Sequence, residues 1–249
     1  MGKHLLFSML FLLPLLTEAS KVASGIIGGH EAKPHSRPYM AYLSTLVQDN
    51  KRQICGGVLL REDFVMTAAH CKKSSTEVWL GVHDVTKTDN VEKIRVKTAI
   101  PHPDYNFSSK SMEHDIMLLQ LETNATLNSI VKTIALPGSQ NKKVPVKCTV
   151  AGWGLMGIDP NSNAPNELRE TDVTIENSHH CPKDDLCHLG HNGPGKGDSG
   201  GPLVCEDEHE PVASGVVSAL KQRRTTNEVL FMYTDVSYYL PWIRKHVGN

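Results

Sequence analysis

The sequence predicts an all-β fold of the barrel or sandwich type, closed by one short helix, and three observations carry the prediction. Its apolar residues fall in short segments, most of about four to nine residues, not in long amphipathic runs. Its 19 Gly and 14 Pro are scattered between those segments as turn residues. Its six cysteines are an even number, as in a chain stapled by disulfides outside the cytosol.

Taken in order, the apolar segments are 39–47, 58–60, 64–69, 78–82, 94–100 and 116–121, then 146–153, 202–205 and 212–220. Val, Ile and Leu dominate them, and Gly, Pro, Asn or Asp separates them, which is how strands of a barrel or sandwich read. Only residues 237–247 carry apolar side chains at helical intervals, with Leu240, Ile243 and Val247 on one face. The 249 residues suffice for one large domain or two small ones, and the 39% hydrophobic content for a real core. There is no tandem repeat and no low-complexity segment.

The N-terminus sets the compartment. Lys3 and His4 precede the 12 apolar-rich residues 5–16, and Thr17-Glu18-Ala19 follows. A basic start, a short apolar middle and a small-residue exit read as a secretory signal peptide, too short to span a bilayer. Cleavage fits after Ala19, Ala23 or Ser24, and residues 1–24 are taken as signal peptide and short propeptide. The expected product is exported, to the extracellular space or a secretory granule, with no membrane span. Without Lys3, Glu18 and Lys21, 24 basic residues face 26 acidic ones, so no net cationic excess recruits nucleic acid or anionic membrane. Asn106-Phe107-Ser108 and Asn124-Ala125-Thr126 are candidate glycosylation acceptors. Six cysteines allow 15 pairings, and spacing alone does not choose among them.

Three stretches carry chemistry. Val65-Met66-Thr67-Ala68-Ala69-His70-Cys71 ends a small-residue strand on a histidine. His114-Asp115-Ile116-Met117-Leu118-Leu119 places an acid directly before an apolar strand. Gly195-Lys196-Gly197-Asp198-Ser199-Gly200-Gly201-Pro202-Leu203 sets a serine among glycines, where its hydroxyl can be open and N–H groups can converge. Serine needs a base to take its proton, and that base needs an acid to hold its tautomer. Two decoys are set aside. Residues 190–196 begin like a phosphate-binding loop but lack the Ser or Thr that must follow, and no helix comes next. His179, His180, Cys181, Cys187, His188 and His191 suggest zinc, but cysteines in an exported chain are expected to be oxidised, so no metal and no cofactor is assigned.

Together the three stretches resemble the chymotrypsin-like (trypsin-like) serine proteases, in the order His, Asp, Ser. The resemblance starts at Ile26-Ile27-Gly28-Gly29 and passes through Gly152-Trp153-Gly154 to Tyr238, Leu240-Pro241-Trp242-Ile243, covering nearly all of the chain after the signal. Residues 26–40 look like the granzyme and mast-cell protease branch. The resemblance implies two antiparallel Greek-key β-barrels, 26–130 and 131–235, followed by a C-terminal helix at 236–249, with the site between the barrels. It implies His70 as general base, Asp115 as its orienting acid and Ser199 as nucleophile. Gly197 and Ser199 would supply the oxyanion hole, and Ser218 would support Asp115. It further implies that the freed ammonium of Ile26 pairs with Asp198, and that the disulfides are Cys55–Cys71, Cys148–Cys205 and Cys181–Cys187. The partners it implies are protein or peptide substrates, an activating aminopeptidase and serpin-type inhibitors, on a monomer. No Arg or Lys precedes Ile26 within Ala23-Ser24-Gly25, which excludes a trypsin-like activator.

Two departures bear on specificity. Only five residues separate Cys181 from Cys187, where the family has a longer loop. The pocket positions carry Gly193 at the base, with no carboxylate to receive Arg or Lys, and Leu220 and Phe231 where open pockets carry small residues. Small aliphatic residues before the scissile bond are the expected preference. The rival reading is a protease-shaped binding protein whose pocket is blocked, and a third is a defective relative that folds poorly. Fold alone does not separate the first two.

Overall fold

A computed structural model describes residues 26–46, 52–109, 111–138, 146–176, 181–207, 210–223, 226 and 228–248. Residues 1–24, with the signal peptide, and the decoy residues His179 and His180 lie outside the described residues.

Thirteen named strands, β1 to β13, and one helix, α1, follow in chain order. After β1 (His30–Glu31) come β2 (Met40–Leu46), β3 (Arg52–Arg61), β4 (Phe64–Thr67), β5 (Thr76–Leu80), β6 (Glu92–Pro101) and β7 (Met117–Leu121). The last six close into an antiparallel barrel in the order β2-β3-β4-β7-β6-β5. Closure leaves no free edge, and it buries Val58, Val65, Leu80 and Leu118 completely.

The second unit contains β8 (Val146–Gly152), β9 (Arg169–Ile175), β10 (Asp185–Gly190), β11 (Pro202–Asp207), β12 (Glu210–Gln222) and β13 (Val229–Asp235). With β1 they form a seven-stranded sheet, β1-β9-β8-β11-β12-β13-β10. This sheet is the expected second barrel in half-barrel form, with β9 and β10 meeting without a ladder between them. Glu176 N–H donates to the Cys187 carbonyl at 3.3 Å across that seam. His188 and Asn192 tie β10 inward instead, through a bond of 2.9 Å between the His188 ring and the Asn192 carbonyl.

The chain ends cross between units. His30 and Glu31 pair with Glu170 and Arg169 of the second sheet. Conversely α1 (Val236–Val247) packs Leu240, Ile243 and Val247 into the core shared with the first barrel, the face its spacing predicts. Asp235 caps this helix by accepting from Ser237 N at 2.9 Å, and Gly248 N closes its end on the Arg244 carbonyl. Three disulfides join Cys55–Cys71, Cys148–Cys205 and Cys181–Cys187. This includes the ring with only six positions of separation. With Cys181 and Cys187 spent on each other, neither offers a thiolate to a metal.

Candidate active site

The site forms where the two units meet. β4 runs into one 3₁₀ turn, Ala69–Cys71, which lifts His70 out of the first barrel while Ala69 and Cys71 stay buried. Asp115 lies two residues before β7 and is completely buried. Its carboxylate accepts from His70 Nδ1 at 2.7 Å, from the His70 backbone N–H at 2.9 Å and from Ser218 Oγ at 2.7 Å. Thr234 Oγ1, on β13, donates to the Asp115 carbonyl at 3.1 Å. The three donors satisfy both oxygens of this buried carboxylate. It also fixes the ring so that Nδ1 carries the proton and Nε2 is left to accept one. The sequence reading did not find Thr234, because a hydroxyl on an apolar strand carries no motif.

Ser199 lies in the turn before β11. Its carbonyl accepts from Gly56 N at 2.7 Å and lies 3.6 Å from Cys71 Sγ, which sets the turn against the first barrel beside His70. Two glycines make that approach possible. Gly200 has φ +82°, and a Cβ there would stand 2.0 Å from Thr67 Oγ1; a Cβ at Gly56 would stand 2.8 Å from Gly201 Cα. Gly197 has φ +107°, and among the described residues none accepts from the N–H of Gly197 or Ser199. Among the described residues Ser199 Oγ makes no hydrogen bond, and catalytic contacts of this kind are often long until a substrate binds.

Asp198 turns the other way. Its side chain is buried and accepts from Gly154 N at 2.6 Å and Gly195 N at 2.8 Å. A Cβ at Gly152 or Gly154 would lie 2.0 or 2.6 Å from this carboxyl, so both glycines of Gly152-Trp153-Gly154 make room for it. Burial pushes the Asp198 carboxyl up to about 7, against the opposing pull of the two amides. Ile26 is also completely buried, in the core of the second sheet, with its carbonyl accepting from Gly29 N.

A family model described as Trypsin matches residues 26–243. The chain belongs to the trypsin family. This serine protease is 44% identical to Mast cell protease 3 of Ovis aries over 95% of its length and 94% of that protein's. It is 41% identical to Granzyme H of Homo sapiens, covering 95% and 96% of the two chains, and 40% identical to human Cathepsin G, covering 96% and 92%. The solved structure of neuropsin, a serine protease expressed in the limbic system of mouse brain, superposes with a TM-score of 0.76 at 34% identity. It covers 89% of this chain and all of that one.

In this protease the three pocket positions come together unequally. Phe231 is completely buried, and its ring stacks on His188 with centroids 4.6 Å apart and planes 10° apart. His188 in turn takes a bond of 3.1 Å between Nδ1 and Tyr233 Oη. A Cβ at Gly193 would stand 2.8 Å from the Phe231 ring, so the glycine lies flat against it. Leu220 is the cross-strand partner of Phe231 but remains 36% exposed. Of the two large groups expected to narrow a pocket, Phe231 is buried against Gly193 and Leu220 stays at the surface. The sequence singled out His188 only as a zinc candidate and not as the partner of Phe231, which lies 43 positions along the chain on a neighbouring strand.

Both glycosylation candidates are placed. Asn106 is exposed and its Oδ1 accepts from Ser108 N at 2.9 Å; Asn124 Nδ2 donates to Glu62 at 3.2 Å on the surface. Among the described residues no helix is long and apolar enough to cross a membrane.

Proposed function

We propose that the protease hydrolyses peptide bonds by acyl transfer, with Ser199 as nucleophile, His70 as general base and then acid, and Asp115 holding His70. The observation that carries this reading is the buried Asp115 carboxylate shared by His70 Nδ1 and Ser218 Oγ, both at 2.7 Å. The N–H groups of Gly197 and Ser199 are the donors for the developing oxyanion, whose loss one at a time costs about 10²–10³ in rate. Ser218→Ala removes a donor to a buried charge, worth about 1.5–3 kcal/mol. Steady-state kinetics should show kcat down by about 10- to 100-fold with KM little changed.

Phe231 against Gly193 supports a preference for small aliphatic residues before the scissile bond. The same ring favours the second reading, a binding protein with an occluded pocket. The chain is read as secreted, N-glycosylated at Asn106 and Asn124, and active once Ile26 is freed.

Freeing Ile26 would place its ammonium beside Asp198, where neither charge is tolerable alone. The pH dependence follows. Asp198 in the uncleaved chain is raised from 3.8 to about 7, so the folded form holds its proton longer than the unfolded form does. Stability from this group is full below about 4 and is lost as pH rises through about 7. The uncleaved chain should therefore show a Tm falling across that range, and a chain beginning at Ile26 should show less of that fall. Asp185, also raised to about 7, contributes equally to both, so the difference between the two forms isolates Asp198. Equal pH dependence in the two would contradict the pair.

A further inference from the structure

A second concavity of about 530 Å³ opens beside the triad, on the face of β12 and β13 opposite to Phe231. Ala219, which follows Ser218, forms part of its floor with Leu230, Met232 and Leu189. Its far wall carries three acids from separate places in the chain. Glu113 comes from the loop two residues before Asp115, and Asp184 and Asp185 from the short ring closed by Cys181 and Cys187. The short ring is what presents them here: Asp185 begins β10, in register with Thr234 of β13.

We propose that this concavity takes a basic side chain, Lys or Arg, of the substrate peptide, N-terminal to the scissile residue. The apolar floor suits an aliphatic stem, and the acid wall suits the cationic head at its end. Among the described residues no ion pair joins Glu113 or Asp185 to a cation, and Asp184 lies 3.8 Å from His114 Nδ1. Burial first, and then the charges of Asp184, Asp115, Asp235 and Glu113, push the Asp185 carboxyl up to about 7. Such a crowd of acids is relieved by a cation bound among them. Lys221 and Arg223 stand on the remaining edge of the concavity, so the basic side chain is received at the Asp184–Asp185 end. The inference rests on the acyl-transfer reading above, since it takes the peptide to lie across Ser199. It adds a charge preference at a second place, where the closed primary pocket offers none.

The test uses protein beginning at Ile26 and peptide substrates with Ala or Val before the scissile bond. Lys, Arg, norleucine or Glu is varied at the two to four positions preceding it. The expected result is kcat/KM at least 10-fold higher for Lys or Arg than for norleucine at one of those positions. The gain should grow from pH 5.5 to 8, as Asp185 loses its proton beside Glu113, Asp184, Asp115 and Asp235. Asp185→Asn should lower the ratio of Lys to norleucine kcat/KM within the same variant to near one, and Glu113→Gln, at an exposed position, should reduce that ratio about 3-fold. Norleucine equal to Lys, or a gain indifferent to both variants, overturns the proposal. Equilibrium binding of the same peptides to Ser199→Ala protein separates the two readings. A Lys preference in binding without turnover keeps the site and sinks the hydrolysis reading; turnover without a Lys preference does the reverse.

Discussion

Asp115→Asn should lower kcat by about 10⁴-fold at neutral pH, the scale set by losing the acid that fixes a catalytic histidine's tautomer. The carboxylate accepts three hydrogen bonds, two of them from His70 and one from Ser218. An amide in its place offers one acceptor and one donor group. If its oxygen keeps the His70 backbone N–H, its NH₂ faces Nδ1, which then has to accept, and the proton moves to Nε2. Such a ring cannot take the Ser199 proton. The substitution is isosteric at a completely buried position, and Thr234 still holds the backbone carbonyl. Tm should therefore fall by far less than activity, and KM should change little. Rate measurements with thermal denaturation of the same sample check both halves. A loss below 10-fold would mean that Asp115 is a structural carboxylate only.

Phe231→Gly should create activity where the parent has none. Its ring lies against Gly193 and stacks on His188, so removing it opens space on the side of Gly193 that faces the core. Differences of one methylene in such pockets are worth about 1–3 kcal/mol, and a Phe or Leu side chain exceeds Ala by several. A gain of about 10²-fold or more in kcat/KM for substrates with Phe or Leu before the scissile bond is the expected result. Emptying a buried aromatic site costs about 3–5 kcal/mol of stability, so Phe231→Ala serves as the milder partner. If the parent already cleaves after Phe as well as after Ala, Phe231 does not close the pocket. If neither protein cleaves anything, while both fold, the occluded binding protein becomes the better reading.

The closed barrel is legible because Phe64–Thr67, residues 78–80 of β5 and Met117–Leu121 are mostly apolar and bounded by polar or turn residues. β9 was not. Its inward positions begin with Arg169 and Thr171, so the alternation looks polar; the Arg169 guanidinium is buried and donates to the Gly29 carbonyl at 2.8 Å. β10 is hidden for a similar reason, since its buried aromatic is His188, held by Tyr233 Oη and the Asn192 carbonyl. The residues set out as the site's chemistry all stood in short motifs. What sequence could not supply was pairing at a distance. The stack of Phe231 on His188 and the exposure of Leu220 depend on which strands neighbour each other, and the acid wall at Asp184 and Asp185 depends on where a six-position disulfide ring lands.

The account stands on His70, Asp115 and Ser199 acting as one unit, and covalent labelling by a fluorophosphonate tests this most directly. Protein beginning at Ile26 should be labelled rapidly at Ser199, with no labelling of the Ser199→Ala control and little of the uncleaved chain. A folded sample that takes no label, or a control labelled as fast as the parent, would contradict the assignment.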